Sequence, residues 1–206
     1  MHWLAEQWLA VTWTEWLGFL TGLACVYLVV KQNPWTWPIG ILNNIFFLVL
    51  FWRAHLFADS LLQIFYMVIS VYGLWNWLYG GENHSTLAVS KATPKQMAGY
   101  LFSVLATTFG ICWLLKTYSP STTPWGDAFT TALSLTAQYM MTRKRIENWW
   151  LWITADVVYI WLYMHKNLYL TALLYLIFIG LCVLGLRAWL RDYGETQSAH
   201  IEGLPT

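Results

Sequence analysis

Asn33-Pro34-Trp35-Thr36-Trp37 returns 115 residues later as Asn148-Trp149-Trp150-Leu151-Trp152. Leu56-Phe57 then answers Leu168-Tyr169, and Gly73 with Trp77 answers Gly185 with Trp189, at an offset of 112 after one gap. The order is kept throughout, so the chain carries a weak direct repeat. Each copy is almost entirely apolar. Two similar blocks in a hydrophobic chain predict a membrane protein with a site between its halves.

Composition supports that reading. The 206 residues are 58% hydrophobic and only 10% charged, whereas a soluble domain has about a quarter of its residues charged. A net charge of +1 without a basic stripe argues against nucleic-acid partners. Cys25, Cys112 and Cys182 stand far apart inside apolar runs and read as small buried hydrophobes, so no metal site is expected. The start, Met1-His2-Trp3-Leu4-Ala5-Glu6, lacks a basic n-region and a cleavage site, so no cleaved signal peptide is expected.

Seven apolar segments can be placed, near 14–30, 36–52, 56–79, 97–115, 124–141, 150–165 and 168–189. About 20 helical residues cross a bilayer core, so the second and sixth are short. Backbone groups in lipid need internal partners, which favours helices, and the alternation of barrel strands is absent. A three-helix block ends on the opposite side of the membrane from its start, so a parallel second block needs one extra crossing. The expected fold is therefore all-α, with seven transmembrane helices in a three, one, three arrangement. Its parts are an interfacial segment 1–13, a first repeat 14–79, a connector helix 97–115, a second repeat 124–189 and a cytoplasmic tail 190–206. That tail reads as polar and without periodicity.

Charge bias predicts an outer N-terminus and a cytoplasmic C-terminus. The inner side takes Lys31, Lys91, Lys95, Arg143, Lys144, Arg145, Arg187 and Arg191, and the outer side keeps Arg53, Lys116 and Lys166, eight against three. Arg143-Lys144-Arg145 reads as a membrane anchor. The tryptophans Trp35, Trp37, Trp149 and Trp150, and with them Trp75, Trp77, Trp125 and Trp189, read as interfacial belts. Gly73 and Gly185 read as places of close helix approach.

Polar groups inside apolar helices mark a cavity or a specific packing contact. Asn43 and Asn44 follow Gly40. Asp59, Gln63 and Tyr66 fall on one helical face. Thr131, Ser134 and Gln138 do the same in the fifth span. In the sixth, Trp149, Trp152, Asp156, Tyr159 and Tyr163 set a carboxylate among aromatic rings. Tyr175 corresponds to Gln63 and Asn44 to Asp156 at the later offset. With Trp52, these give the candidate substrate-binding residues Asn43, Asn44, Trp52, Asp59, Gln63, Tyr66, Gln138, Trp152, Asp156, Tyr159 and Tyr175. Plainer alternatives stand beside some of them: Asp59 as a helix cap, Gln63 or Gln138 as interhelical glue, and Asp156 in a structural role. Asn43 and Asn44 point about 100° apart, so at least one is expected to face a polar cavity. Rings, amides and few charges suit a flat, hydroxyl-bearing heterocycle, including a cationic one. A phosphorylated solute would call for an arginine or lysine clamp, and none lies mid-span.

Trp37-Pro38-Ile39-Gly40-Ile41-Leu42-Asn43-Asn44 resembles the PnuC-type vitamin transporters. Leu56-Phe57-Ala58-Asp59-Ser60-Leu61-Leu62-Gln63-Ile64-Phe65-Tyr66 and Tyr72-Gly73-Leu74-Trp75 agree. So do Arg145-Ile146-Glu147-Asn148-Trp149-Trp150-Leu151-Trp152-Ile153-Thr154-Ala155-Asp156 and Lys166-Asn167-Leu168-Tyr169-Leu170-Thr171-Ala172-Leu173-Leu174-Tyr175. The resemblance implies a carrier of nicotinamide riboside in the bacterial inner membrane, similar in architecture to the SWEET porters. It also implies a homo-oligomer, often a trimer, and central-site roles for Asn43, Asn44, Gln63, Gln138, Trp152, Asp156 and Tyr159. No cofactor is implied. The chain has no Walker-type glycine loop, so uncoupled alternating access is expected, with a separate cytoplasmic riboside kinase trapping the product. A small-sugar porter, a membrane enzyme built on Asp59 and Asp156, and a non-transporting receptor remain as alternatives, separable by competition, substrate conversion and flux.

Overall fold

The computed structural model describes residues 13–53, 57–119, 123–165 and 169–201. These residues form seven α-helices: α1 (Trp13–Val30), α2 (Thr36–Arg53), α3 (Phe57–Tyr79), α4 (Pro94–Tyr118), α5 (Pro124–Thr142), α6 (Asn148–His165) and α7 (Tyr169–Ile201). A short 3-10 turn, Glu82–His84, lies in the connector between α3 and α4. The interfacial segment expected over 1–13 falls almost wholly outside the described residues, as does most of the hairpin at 53–55.

The all-α class stands, but the seven-span, three, one, three expectation does not. Among the described residues three helices are long and apolar enough to cross a membrane, through Ser60–Tyr79, Pro94–Tyr118 and Ala172–Ala199. The reason is chemical. The chain has 16 tryptophans and 12 tyrosines, which swell its apolar count although each carries a polar tip that needs a partner. The helices α1, α2 and α6 have 18 residues each and rise only about 27 Å. Asn43, Asn44 and Asp156 weaken two of them further. At the other end, α7 continues through Asp192 to Ile201, where the composition reads as an irregular tail.

The described chain divides into two compact units, one ending at Leu74 and one beginning at Trp75. In the first, α1 packs on α2. The Thr36 hydroxyl donates to the Cys25 carbonyl at 3.0 Å, and the Cys25 thiol to the Thr36 carbonyl at 3.7 Å. In the second, α4 packs on α5, α5 on α6 and α6 on α7. Val104, Ala132, Leu133 and Ala155 form its buried centre, with Phe129, Leu151 and Tyr159 against it. Thr93 starts α4 with a capping box: its side chain accepts from Gln96 N–H while the Gln96 side chain accepts from Thr93 N–H.

Both units contain the same turn. Gln32 and Lys144 have left-handed backbones, φ 51° and 46°. Asn33 N–H donates to Leu28 O at 2.8 Å, and Arg145 N–H to Met140 O at 3.0 Å. Thr36 N–H donates to Asn33 O, and Asn148 N–H to Arg145 O, each at 3.1 Å. Every pair differs by 112 residues, as do both ends of α2 and α6. The 115-residue register at the start of the repeat is therefore replaced by 112, and Trp37 corresponds to Trp149 rather than Trp152.

The two tryptophans do the same job. A Cβ on Gly73 would run into the Trp37 ring, and one on Gly185 into the Trp149 ring. Trp37, Trp149, Trp77 and Trp189 are fully buried, which corrects their assignment to interfacial belts. Trp189 meets Trp149 edge to face at 5.3 Å and Trp77 at 6.1 Å. Trp35, Trp75, Trp125 and Trp150 are exposed. Replacing Gly185 with Ala forces the indole off its seat, and overpacking of this kind costs about 1–3 kcal/mol. Thermal unfolding in detergent should show a clear loss for Gly185→Ala. It should show none for Gly180→Ala, where an added Cβ meets nothing within 4 Å.

Candidate functional site

In the second unit α6 presents Trp152, Asp156, Tyr159 and Tyr163 at spacings that keep them on one face. Asp156 is buried, 5% exposed. The Cys182 thiol of α7 donates to its Oδ2 at 3.8 Å, and among the described residues no ion pair reaches it. Beside it the rings of Tyr159 and Tyr175 lie 4.8 Å apart and those of Tyr163 and Tyr175 5.4 Å apart. Phe178 closes the cluster at 5.9 Å from Tyr175. The Tyr159 hydroxyl sits against the Thr130 and Ser134 hydroxyls of α5.

A carboxylate in so apolar a place is costly unless an opposite charge or a proton meets it. The neighbouring phenol rings of Tyr159, Tyr163 and Tyr175 pack on one another and gather aromatic surface and hydroxyls in one cluster. No lysine or arginine occurs in Asn148–His165 or in Tyr169–Leu186. The arrangement therefore fits an aromatic, cationic or neutral solute better than a phosphate. Among the described residues no cluster of His, Cys, Asp or Glu is placed to hold a metal ion.

The structure gathers Asp156, Tyr159 and Tyr175, with Trp152 half-buried one turn before Asp156 and Gln138 half-buried on α5. It adds Thr130, Tyr163, Phe178 and Cys182. Thr130, rather than Thr131, faces Tyr159; the Thr131 hydroxyl donates back to Asp127 O at 2.8 Å. Cys182 reads as a plain hydrophobe in the sequence. Its counterpart in the 112-residue register is Ser70, another small polar side chain, and that match was the available signal.

In the first unit the Asn43 amide donates to the Thr21 hydroxyl at 2.5 Å, tying α2 to α1. Asn44, Gln63 and Tyr66 are half-buried, and the Ser70 hydroxyl donates to Tyr66 O at 2.7 Å. Trp52 is 61% exposed, the setting of a surface tryptophan rather than a cavity wall. The side chain of Asp59 lies outside what the structure describes.

Comparison with known proteins adds a consistent set of relatives. A profile of the family described as "Nicotinamide mononucleotide transporter" matches residues 12–191. The chain is similar to the nicotinamide riboside transporter PnuC of Escherichia coli, 25% identical over 91% of this chain and 89% of that one. It is also similar to the riboflavin/roseoflavin transporter RibM of Streptomyces davaonensis, 27% identical over 95% and 92%. The crystal structure of the vitamin B3 transporter PnuC superposes with a TM-score of 0.70, covering 89% of this chain and 83% of that one. At 21% identity this likeness concerns the fold alone.

The two tryptophans of α6 should separate stability from recognition. Trp149→Ala empties the seat over Gly185 and should lower stability by about 3–5 kcal/mol. Trp152→Ala should leave thermal unfolding in detergent nearly unchanged and weaken solute binding in a titration.

Proposed function

The chain belongs to the nicotinamide mononucleotide transporter family, and from that premise we propose that it carries nicotinamide riboside through the membrane. It is a multi-pass membrane transporter and not an enzyme. The supporting observation is buried Asp156, bordered by Tyr159, Tyr163 and Tyr175 and free of ion pairs among the described residues. Nicotinamide riboside joins a pyridinium cation to an uncharged ribose. The carboxylate answers the cation, the phenol rings stack on the heterocycle, and the hydroxyls meet ribose. The mononucleotide would add a phosphate with no cationic partner in these segments.

Riboflavin is the second reading, favoured by the relative from Streptomyces. Its ring system is neutral, so Asp156 would offer it hydrogen-bond acceptance but no charge pairing. Gln138 and Trp152 complete the proposed site in the second unit. Within the first unit, Asn43, Asn44, Gln63 and Tyr66 are proposed as solute contacts in their own right, and the Asn43 amide also donates to Thr21.

The cycle is alternating access without covalent chemistry or ion coupling, with a separate cytoplasmic kinase phosphorylating the riboside and trapping it. The location is the bacterial inner membrane, with the N-terminus outside and the C-terminus in the cytoplasm. The connector 80–93 and the α5–α6 turn, joined through Ser90, carry Lys91, Arg143, Lys144 and Arg145, a cationic bias that favours the cytoplasmic side. A homo-oligomer, trimeric by family resemblance, is the proposed assembly.

Titration of purified protein with nicotinamide riboside, its mononucleotide and riboflavin tests the substrate. The riboside should bind best, and Asp156→Asn should weaken it about tenfold or more, the scale of one charge-assisted contact. Riboflavin binding should be much less sensitive to that change. Tighter binding of riboflavin, or no effect of Asp156→Asn on the riboside, refutes the assignment.

Uncoupled transport has its own check. In liposomes the riboside should equilibrate with no imposed ion gradient. Accumulation that requires a proton or sodium gradient would overturn this mechanism.

A further inference from the structure

Arg143-Lys144-Arg145 has the composition of a surface anchor, yet its middle residue is 6% exposed. The Lys144 ammonium stands 4.8 Å from the centre of the Trp77 ring, and Asp192 of α7 is the carboxylate whose field supports its charge. Around it three segments are pinned together. The Trp77 indole donates to Met141 O at 2.9 Å and the Asn76 amide to Thr142 O at 2.7 Å. Ser90 N–H donates to Lys144 O, and Ile146 N–H to Ser90 O, both at 3.0 Å.

The other nearby charges are committed elsewhere. Arg145 donates to the Ser90 hydroxyl and to Lys91 O at 3.0 and 2.8 Å. Glu147 accepts from Ala92 N–H through both carboxylate oxygens. Arg143 is exposed and lies over Tyr139, Lys91 lies over Tyr193, and Arg191 pairs with Glu195.

We propose that Lys144 is a positioning residue whose protonation loosens the clasp formed by the α5–α6 turn, the 80–93 connector and the C-terminal end of α3. An ammonium held in this pocket forfeits most of its hydration, a cost that its contacts, the Trp77 ring and the charge of Asp192 among them, offset without removing. A neutral amine at the same place forfeits far less. Burial accordingly pushes the Lys144 ammonium down to about 8 from its ordinary 10.5, with Asp192 opposing the shift. When the clasp opens, Lys144 regains water and its ordinary proton affinity. The closed form thus binds fewer protons than the open form between those two values. Rising pH across that window strengthens closure, and below it the closed form bears the full cost of the charge.

Amide hydrogen exchange on the intact protein in detergent reads this directly at Ser90 and Ile146, with rates corrected for intrinsic pH dependence. Protection in the unaltered chain should rise by up to about tenfold per pH unit above about pH 8 and be flat below it. Lys144→Met should be firmly protected at every pH. Lys144→Arg, whose guanidinium keeps its proton, should be weakly protected at every pH. A flat profile in the unaltered chain overturns the proposal, as does Lys144→Met as loose as Lys144→Arg, the pattern of a purely structural lysine. Should Lys144→Arg not fold, Asp192→Asn decides. It should reduce protection near about pH 7.5 and not near about pH 9.5, and an equal loss at both overturns the proposal.

Discussion

An indole ring laid on a bare stretch of helix sets the geometry of each repeat. Trp37 seats over Gly73 and Trp149 over Gly185, where even a methyl group would collide with the ring. Glycine is required there because only a helix surface without Cβ lets a large flat side chain approach so closely. The seat fixes the start of α2 and of α6 relative to the helix it touches, and hence the direction in which each helix runs. In the second unit Trp189 and Trp77 extend the contact into an edge-to-face cluster. Aromatic pairs in this orientation contribute about 0.5–1.5 kcal/mol beyond their buried area.

The turn before each seat is equally determined. A left-handed residue, Gln32 or Lys144, reverses the chain. Backbone hydrogen bonds then satisfy the donors at the start of the next helix. In the second unit this turn also receives the connector, through Ser90, Arg145 and Glu147. The aromatic seat, the turn and the connector therefore form one continuous support beneath α6. Asp156 and Tyr159 are placed by that support two to three turns along the helix.

The proposed function rests on what α6 and α7 leave uncompensated among the described residues. A buried carboxylate without a cation is unstable in isolation, and its surroundings of phenol rings and small hydroxyls select what can approach it. The absence of basic residues from the same helical stretches is as informative as the carboxylate, because it leaves a phosphate without a partner. In the proposed site charge balance, more than shape, would rank the candidate solutes.

The amino-acid sequence by itself determined the all-α class, the internal repeat and the family. Apolar periodicity, recurring tryptophan–glycine pairs and the Asn43-Asn44 and Asp156 motifs are local properties of the chain. It also matched Asn44 with Asp156 and Gln63 with Tyr175 once the register was 112. Tertiary structure alone decided which tryptophans are core and which are surface, because an amphipathic indole is at home in either place. It likewise decided that Lys144 and Arg145 turn inward, that Cys182 meets Asp156 and that Thr130 faces Tyr159. Those outcomes depend on which helix covers which face. The number of helices fit to span a membrane, three among the described residues, is also fixed at this level for a related reason: a count of apolar letters does not register the polar tips of tryptophan and tyrosine or the length lost in short helices.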